Sequence, residues 1–354
     1  MKRRFLNTYI LAMGLGASVL AFSQPGPMPG AAGKKPRRFG PLPFAKHVAP
    51  HDMSTSQLLD VAGSPDVSAL PSDVKLTTYK DIVYSKVKTI DGDPLDLKMD
   101  VFAPEQAKKL PLVVFVTGGG FMMSPKGSNA GARAYLAKAG YVVASIEYRV
   151  VPQGLYSDAV GDVKSAIRFL RANADRYGID TSKVAVWGDS AGGYMTAMVG
   201  TTNGVKKFEV GDNLDQSSAV LAGVDFYGLS DLTRIAMDYD QAAQDGHNTP
   251  NISEAMYVNG PDSGKSIRDD LQAAAQANPL TYVDKSDPAL LFIHGSEDAL
   301  VSPSQTLLVH NALRAAGVPS TRYVIKGANH GGPQWSTKMV MDIVVSYFDK
   351  MLKK

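Results

Sequence analysis

The sequence contains no cysteine among its 354 residues. This absence excludes a disulfide scaffold, a thiolate metal site, a cysteine nucleophile and a lipidated N-terminal cysteine. A chain of this length can bury a sufficient apolar core without disulfides. Hydrophobic residues make up 44% of the chain and charged residues 20%, a composition typical of a globular protein rather than of a collagenous or disordered one.

The sequence also has little net charge. The formal total is +3, with +3 in residues 1–23 and +5 in residues 24–50, which leaves −5 for the remainder. The basic excess therefore lies entirely in the first fifty residues. Because the body of the chain is mildly acidic and presents no basic face, we expect no nucleic-acid partner.

A long apolar run occurs near the N-terminus, at residues 5–22, after three basic residues. Ala21 and Ser23 place small side chains at the two positions that a signal peptidase reads. The pattern predicts a signal peptide over residues 1–23, cleaved before Gln24, and a secreted or periplasmic protein with no stable membrane anchor after cleavage. The alternative is a retained anchor, because a run of this length almost suffices to span a bilayer.

A segment rich in proline and glycine follows the predicted signal peptide. Residues 24–43 contain six prolines and four glycines and cannot bury much apolar surface. We expect an extended or disordered tether over residues 24–60 and a globular domain over residues 61–354. The basic cluster at residues 34–38 either attaches the protein to an anionic envelope or polysaccharide, or is a solvated part of the linker.

The rest of the chain alternates between segments typical of strands and segments typical of helices. Continuous apolar runs predict central strands, and one-sided apolar patterns predict helices packed on a sheet. Strands are expected at residues 95–102, 112–116, 141–146, 183–187, 219–226, 289–294 and 321–325, and helices at residues 132–139, from about 160 to 177, and at 191–200, 304–316 and 337–352. This order predicts an α/β fold with a mostly parallel central sheet and helices on both faces.

One interval is too long for a plain connection between strands. Residues 228–287 separate two predicted strands and include a plausible helix at residues 264–277. We expect a cap-like insertion over the carboxyl ends of the strands, where open α/β sheets bind their ligands.

The segment from Gly188 to Gly192, Gly-Asp-Ser-Ala-Gly, lies between a predicted strand and a predicted helix. On such a turn a serine projects its hydroxyl above the sheet, the flanking glycines avoid a collision, and the helix N-terminus faces the developing oxyanion. The pattern therefore predicts Ser190 as a nucleophile. The alternative is an ordinary glycine-rich turn, since the bare pattern arises by chance in roughly one such chain in five.

A run of three glycines, Gly118 to Gly120, leaves the predicted strand at residues 112–116. Backbone N–H groups in such a loop can turn toward the carbonyl oxygen that becomes negatively charged during acyl transfer. We assign the N–H groups of Gly119, Gly120 and Ala191 as the oxyanion donors. A phosphate-binding loop is the alternative, but the loop after this strand contains neither Gly-x-Gly-x-x-Gly nor a Gly-Lys-Ser/Thr ending.

A serine nucleophile needs a base, and the base needs an acid to orient it. Among the six histidines, His330 lies in a glycine-rich loop directly after the last predicted strand, at the same sheet edge as Ser190. Asp298 follows the preceding predicted strand. We predict His330 as the base and Asp298 as the acid, with Glu297 as the alternative acid. The chain order serine, aspartate, histidine is that of the α/β hydrolases.

Together these motifs resemble the α/β-hydrolase superfamily, and within it secreted serine carboxylesterases of the hormone-sensitive-lipase kind and of the bacterial feruloyl and acetyl-xylan esterase kind. The resemblance covers about residues 74–352 and rests on matched segments at residues 118–121, 148–152, 162–180, 188–193, 294–301 and 330–331. It implies an acyl-enzyme mechanism without cofactor or metal, with Ser190, Asp298 and His330 as the triad. The chain departs from the family at Thr117, where the family usually has a histidine that shapes the oxyanion loop.

The resemblance implies a carboxylic-ester hydrolase that acts on small esters, or on acetyl or feruloyl groups of plant polysaccharide. Aromatic residues could line an acyl or sugar pocket, namely Tyr194 and Trp335 together with Phe226, Tyr227, Tyr239 and Tyr257. Core packing is the alternative role for each. Two other functions stay open: a secreted peptidase of the prolyl-oligopeptidase kind, which normally carries a large additional domain, and a noncatalytic binding protein on a hydrolase fold.

Overall fold

A single sheet of nine strands forms the centre of the computed structural model, which describes residues 39–353. The strands are β1 (Gln57–Leu59), β2 (Leu76–Lys88), β3 (Pro94–Pro104), β4 (Leu110–Val116), β5 (Val142–Ile146), β6 (Ile179–Asp189), β7 (Ala222–Phe226), β8 (Ala289–Gly295) and β9 (Ser320–Ile325). The helices are α1 (Ala130–Lys138), α2 (Tyr156–Ala172), α3 (Ala174–Tyr177), α4 (Ala191–Thr201), α5 (Gln241–His247), α6 (Ser253–Asn259), α7 (Leu271–Gln276), α8 (Ser304–Ala315) and α9 (Lys338–Leu352). The predicted signal peptide and residues 24–38 of the predicted tether lie outside the described residues.

The sheet is parallel over most of its width. Its order is β1-β9-β8-β7-β6-β4-β5-β3-β2, in which every neighbouring pair from β1 to β5 is parallel. Only β3 runs in the opposite direction, and it is therefore antiparallel to both of its neighbours, β5 and β2. Because parallel strands are normally covered on both faces, β5 and β7 are buried along their whole length. The predicted α/β-hydrolase architecture is confirmed.

Alternate side chains of the central strands enter two separate cores. Along β4, Leu112, Val114 and Val116 point into the core that α2 and α4 complete. Val113 and Phe115 point to the opposite face, into the core that α1 and α9 complete. The apolar face predicted for α2 is buried in the first of these cores.

The predicted strands and the predicted helices outside the insertion are present, most within a few residues of their expected bounds. The sequence pattern did not predict β2. This strand lies at the edge of the sheet, pairs with β3 alone, and contains two register shifts. Most of its side chains are exposed or half-buried, so the apolar alternation that marks an internal strand is missing.

The segment at residues 39–60 packs on the domain, so the predicted tether boundary at residue 60 is wrong. The N–H of Gly40 donates to the carbonyl of Asn251 at 2.8 Å, and the N–H of Ala45 donates to that of Ala299 at 2.7 Å. Farther along, β1 pairs in parallel with β9 at the sheet edge. High proline and glycine content indicated a tether, but the few apolar side chains of this segment find partners that are distant in sequence.

Residues 228–287 form the expected insertion, and they pack beside the carboxyl ends of the strands. The hydroxyl of Tyr239 donates to the backbone carbonyl of Asp298 at 2.9 Å, which joins the insertion to the loop after β8. The N–H of Ser302 in the same loop donates to the carbonyl of Ile235 at 3.1 Å.

The helix predicted at residues 264–277 is wrong in extent. Helix α7 begins at Leu271, because the carboxylate of Asp270 accepts a hydrogen bond from the N–H of Ala273 at 3.0 Å and caps the helix there. Before this cap the chain turns at Gly264, whose φ of +65° is outside the helical region.

Residues 39–353 contain no helix that is long and apolar enough to cross a membrane. Over the same range, no group of three or more histidine, aspartate or glutamate side chains is arranged to hold a metal ion.

We expect residues 39–60 to stabilise the domain. A chain that begins at residue 61 loses β1 and the hydrogen bonds that the segment makes to the insertion and to the loop after β8. Its Tm should be lower than that of a chain beginning at residue 39 by roughly 5 °C or more, measured by calorimetry or circular dichroism. Equal Tm values for the two chains would show that the segment contributes nothing to folding.

Candidate active site

Ser190 lies on the sharp turn between β6 and α4, as predicted. Its φ of 54° and ψ of −120° are a strained combination for a residue with a side chain. Its N–H donates to the carbonyl of Phe226 at 2.8 Å, and its carbonyl accepts from the N–H of Tyr194 at 2.9 Å. These two bonds connect the strained turn to β7 and to the first turn of α4.

The two glycines that flank Ser190 let backbone segments come into direct contact. A Cβ at Gly188 would lie 2.2 Å from the carbonyl oxygen of Gly192. A Cβ at Gly192 would lie 1.9 Å from the carbonyl oxygen of Val116, at the end of β4. Any larger residue at either position would push the turn off the strand, so the predicted steric reason for the Gly-x-Ser-x-Gly spacing is confirmed.

The three residues predicted as the triad form one hydrogen-bonded chain. His330 Nε2 is 2.8 Å from Ser190 Oγ, and His330 Nδ1 is 2.8 Å from Asp298 Oδ2. They follow β6, β8 and β9, which all end at the same edge of the sheet. Glu297, the alternative acid, is exposed, whereas Asp298 is fully buried.

The carboxylate of Asp298 is surrounded by donors. Besides His330 it accepts hydrogen bonds from His294 Nε2 at 3.1 Å and from the N–H groups of Leu300 and Val301 at 2.9 and 3.0 Å. Burial would raise the pKa of Asp298, but the charge of His330 and the hydrogen bonds from both histidines outweigh it and hold the pKa below its usual value. The side chain is therefore an anion that can hold the imidazole of His330 in one orientation.

His294 is a site residue that the sequence analysis did not identify. Its Nε2 is also 3.0 Å from the carbonyl of Val301, and its Nδ1 is 2.9 Å from Thr306 Oγ1. The carbonyl and the carboxylate both require Nε2 to carry the proton, and burial lowers the pKa of this histidine, which keeps it neutral. The signal in the sequence is its place at the end of β8, four residues before Asp298.

Asn329 joins the loop that carries His330 to the loop that carries Asp298. Its Oδ1 accepts from the N–H of Ala299 at 3.1 Å and from the N–H of His330 at 2.7 Å. The base and its acid are therefore held together by their loops as well as by their side chains.

The glycine loop after β4 passes directly beside the nucleophile. A Cβ at Gly118 would lie 2.9 Å from the Cβ of Ser190, and a Cβ at Gly119 would lie 2.2 Å from the carbonyl oxygen of Met123. Gly120 has a φ of +59°, which glycine adopts without strain. Gly119, Gly120 and Ala191 all lie with Ser190 on cavity walls, so the structure brings the predicted donors to the nucleophile.

Asp189 fixes this glycine loop and is a second residue that the sequence analysis did not assign. Its carboxylate accepts hydrogen bonds from the N–H of Gly118 at 3.0 Å, from Asn129 Nδ2 at 3.3 Å and from the hydroxyl of Tyr227 at 3.4 Å. Burial raises its pKa, and these donors oppose that shift. Its position directly before Ser190 in the motif is the signal that could have indicated this role.

Thr117 occupies the position where the resemblance leads one to expect histidine. Its side-chain hydroxyl is buried and has no hydrogen-bond partner among the described residues. Its carbonyl accepts a hydrogen bond from the hydroxyl of Tyr148 at 2.9 Å. The start of the loop is therefore held through its backbone.

The predicted role of Tyr194 in substrate binding is wrong. Its ring is fully buried, and its hydroxyl donates to the carbonyl of Ala277 at 2.7 Å, so it holds the end of the insertion. Trp335, in contrast, lines the cavity at Ser190. Its ring packs edge-on against Tyr227 at 4.2 Å between centroids, and its Nε1 donates to the carbonyl of Asn329 at 3.2 Å.

Of the other aromatic candidates, Phe226 and Tyr227 line the same cavity as Trp335. Tyr239 uses its hydroxyl to bind the backbone of Asp298. Tyr257 is fully buried and stacks on Phe121 at 4.3 Å between centroids.

Two cavities meet at Ser190. The larger has a volume of about 400 Å³ and is lined by His330 together with Trp335, Tyr227, Asn129, Ser128 and Met123. The smaller has a volume of about 30 Å³ and is lined mainly by aliphatic and aromatic side chains, among them Phe121 and Leu229.

Comparison with known sequences agrees with this geometry. Residues 99–313 match the BD-FAE family, which is more than half of the chain. Esterase LipC of Mycobacterium tuberculosis is 28% identical over 82% of this chain and 73% of its own length. Isoprenylcysteine alpha-carbonyl methylesterase ICME of Arabidopsis thaliana is 24% identical over 68% of this chain and 55% of its own, so the match spans about half of that relative.

Solved structures share the fold. A truncated carbohydrate esterase from gut microbiota superposes with a TM-score of 0.69 and 26% identity, covering 80% of this chain and 99% of that one. A bifunctional GH43-CE protein of Bacteroides eggerthii gives a TM-score of 0.67 and 29% identity over 77% of this chain and 38% of its own. The fold, the motifs predicted from the sequence and the matched residues agree: the chain belongs to the BD-FAE family of α/β-hydrolase esterases.

Proposed function

We propose that this protein is a secreted serine carboxylesterase that hydrolyses acetyl or feruloyl esters of polysaccharide, or related small esters. The observation that carries the proposal is the continuous relay from Ser190 Oγ through His330 to the buried carboxylate of Asp298. A serine hydroxyl is a poor nucleophile unless a base takes its proton, and this arrangement provides the base and orients it.

In the first half of the reaction, Ser190 Oγ gives its proton to His330 Nε2 and bonds to the ester carbonyl carbon. The carbonyl oxygen becomes negatively charged and accepts hydrogen bonds from the N–H groups of Gly119, Gly120 and Ala191. His330 then gives the proton to the alcohol oxygen as the carbon–oxygen bond breaks. The alcohol leaves, and the acyl group stays on Ser190.

In the second half, His330 takes a proton from a water molecule, which attacks the acyl carbon of the acyl-enzyme. The bond to Ser190 Oγ breaks, the carboxylic acid leaves, and His330 returns the proton to Ser190. Throughout, Asp298 accepts the hydrogen bond from His330 Nδ1 and stabilises the imidazolium ion that forms in each half.

Two observations support a carbohydrate-linked ester as the substrate class. A solved structure that is similar to this chain, at 26% identity and a TM-score of 0.69, is described as a carbohydrate esterase. The cavity of about 400 Å³ beside His330 is within the size range of small-molecule sites and combines aromatic rings with polar side chains such as Asn129. It has room for a sugar unit as the alcohol portion.

Replacing Ser190 with alanine should abolish the activity. We expect Ser190→Ala to lose covalent labelling by a fluorophosphonate probe, and its kcat on p-nitrophenyl acetate to fall by roughly 10⁵-fold or more. Ser182→Ala is the matched control, since Ser182 is exposed and lies near the start of β6, at the other end of the strand from Ser190, and it should keep both properties. A wild type that is neither labelled nor active on short esters, or that cleaves only peptides, would contradict the proposal.

Asp298 and its neighbour Glu297 allow a test of which carboxylate orients His330. Asp298→Asn removes the charge that stabilises the His330 imidazolium, and kcat should fall by roughly 10³–10⁴-fold at neutral pH. Glu297→Gln makes the same chemical change one residue away, on an exposed side chain, and should leave kcat within about two-fold of the wild type. Comparable losses in the two variants would argue against Asp298 as the orienting acid.

Secretion rests on the N-terminal sequence, with its basic start, apolar run and small residues at positions 21 and 23. Expressed from the full-length gene in a bacterial host, the protein should accumulate outside the cytoplasm with Gln24 as its first residue, as determined by intact-mass spectrometry. Replacing Ala21 with arginine should block cleavage and leave the precursor. Recovery of the wild type in the cytoplasm with Met1 retained would overturn this part of the proposal.

A further inference from the structure

The two cavities that meet at Ser190 differ in size and chemistry, and the reaction assigns them different parts of the ester. In the proposed mechanism His330 Nε2 gives a proton to the leaving alcohol, so the alcohol must lie on the side of Ser190 that His330 faces. His330 lines the larger cavity. The acyl substituent, on the other side of the carbonyl carbon, therefore points toward the smaller cavity, which Gly120 and Ala191 line next to the oxyanion position.

The smaller cavity is too small to enclose a large group. Its volume is about 30 Å³, and a single water-sized group needs roughly 10–15 Å³ by the same measure. The cavity thus has room for about two such groups, which corresponds to the methyl of an acetyl or the ethyl of a propionyl ester. A feruloyl group, with a substituted phenyl ring, is several times too large.

The walls of this cavity are also apolar. Its surface is formed by carbon atoms, including those of Phe121, Leu229 and Leu300. His247 and Glu254 belong to its lining as well, but His247 Nδ1 hydrogen-bonds Glu254 Oε1, so these polar atoms face each other. Such a surface suits an unsubstituted alkyl group.

One wall of the smaller cavity is formed by a residue that belongs neither to the sheet nor to the insertion. Leu42 belongs to the segment at residues 39–60 and is half-buried against the core. Backbone hydrogen bonds of Gly40 and Ala45 fix the chain on both sides of it. Pro43 packs so closely on helix α5 that a Cβ at Gly246 would lie 2.5 Å from its Cβ. Leu42 is therefore held in place as part of the cavity wall.

We propose that the smaller cavity is the acyl site, that it accepts acetyl and propionyl groups and excludes feruloyl and longer acyl groups, and that Leu42 sets this limit. This inference rests on the proposed esterase activity and narrows its substrate class to short-chain esters. A segment with a linker-like composition thereby becomes the specificity-determining wall of the site.

The test compares kcat/KM for p-nitrophenyl acetate, propionate, butyrate and hexanoate, and for methyl ferulate. For the wild type we expect acetate and propionate to exceed hexanoate by roughly ten-fold or more, with no detectable turnover of methyl ferulate. Leu42→Ala removes the Leu42 side chain from the cavity wall and should raise the hexanoate-to-acetate ratio by roughly ten-fold. Leu58→Ala, the same substitution at an exposed position of β1, should leave the ratio at the wild-type value.

Active-site titration with a fluorophosphonate corrects each rate for the fraction of folded enzyme. Leu42→Phe is the second variant, because a larger ring narrows the cavity and should lower the propionate-to-acetate ratio even if Leu42→Ala is unstable. A wild type that hydrolyses hexanoate or methyl ferulate as fast as acetate would overturn the inference while leaving the esterase activity intact, as would ratios unchanged in both Leu42 variants. Absence of labelling and of all ester turnover would instead overturn the proposed function, and this inference with it.

Discussion

The buried carboxylate of Asp298 is the group on which the geometry of the site depends. A charge away from water is costly unless donors replace the lost solvation, and here two histidines and two backbone N–H groups do so. His294 and His330 approach the same oxygen from different sides. This arrangement requires β8 and β9 to be adjacent, with their following loops joined by Asn329. The parallel sheet therefore makes the triad possible by placing the ends of distant chain segments at one edge.

Steric contact between backbone segments is the second constraint on the geometry of the site. The turn at Ser190 and the glycine loop after β4 approach so closely that any Cβ at Gly118, Gly119 or Gly192 would overlap a neighbouring atom. Asp189 binds the same loop through its carboxylate, so the residue before the nucleophile fixes the backbone beside it. The nucleophile and the surroundings of the oxyanion are consequently one rigid unit, which suits a site that must stabilise charge without rearrangement.

The two sides of Ser190 are built by different parts of the chain. Strand ends and the loop around His330 form the larger cavity, where aromatic rings and polar groups are mixed. The smaller cavity combines the glycine loop with the insertion and with Leu42 from the N-terminal segment. Residues that perform the chemistry thus follow strands of the sheet, whereas half of the residues that line the smaller cavity belong to the insertion and the N-terminal segment. Such a division allows specificity to change without disturbing the relay.

The sequence by itself determined the order of the seven predicted strands and the helices between them, the nucleophile turn and the three members of the relay. Strong local signals mark these features: apolar runs, glycine spacing and polar residues directly after strands. It could not show that residues 39–60 belong to the domain, since their partners lie some two hundred residues away and their composition is that of a linker. It also could not separate Tyr194, which is buried under the insertion, from Trp335, which faces the cavity, because the burial of an aromatic side chain depends on the elements that pack over it. The tertiary structure alone decided the surroundings of His294, Asp189 and Leu42, because each of them contacts residues of a different segment of the chain.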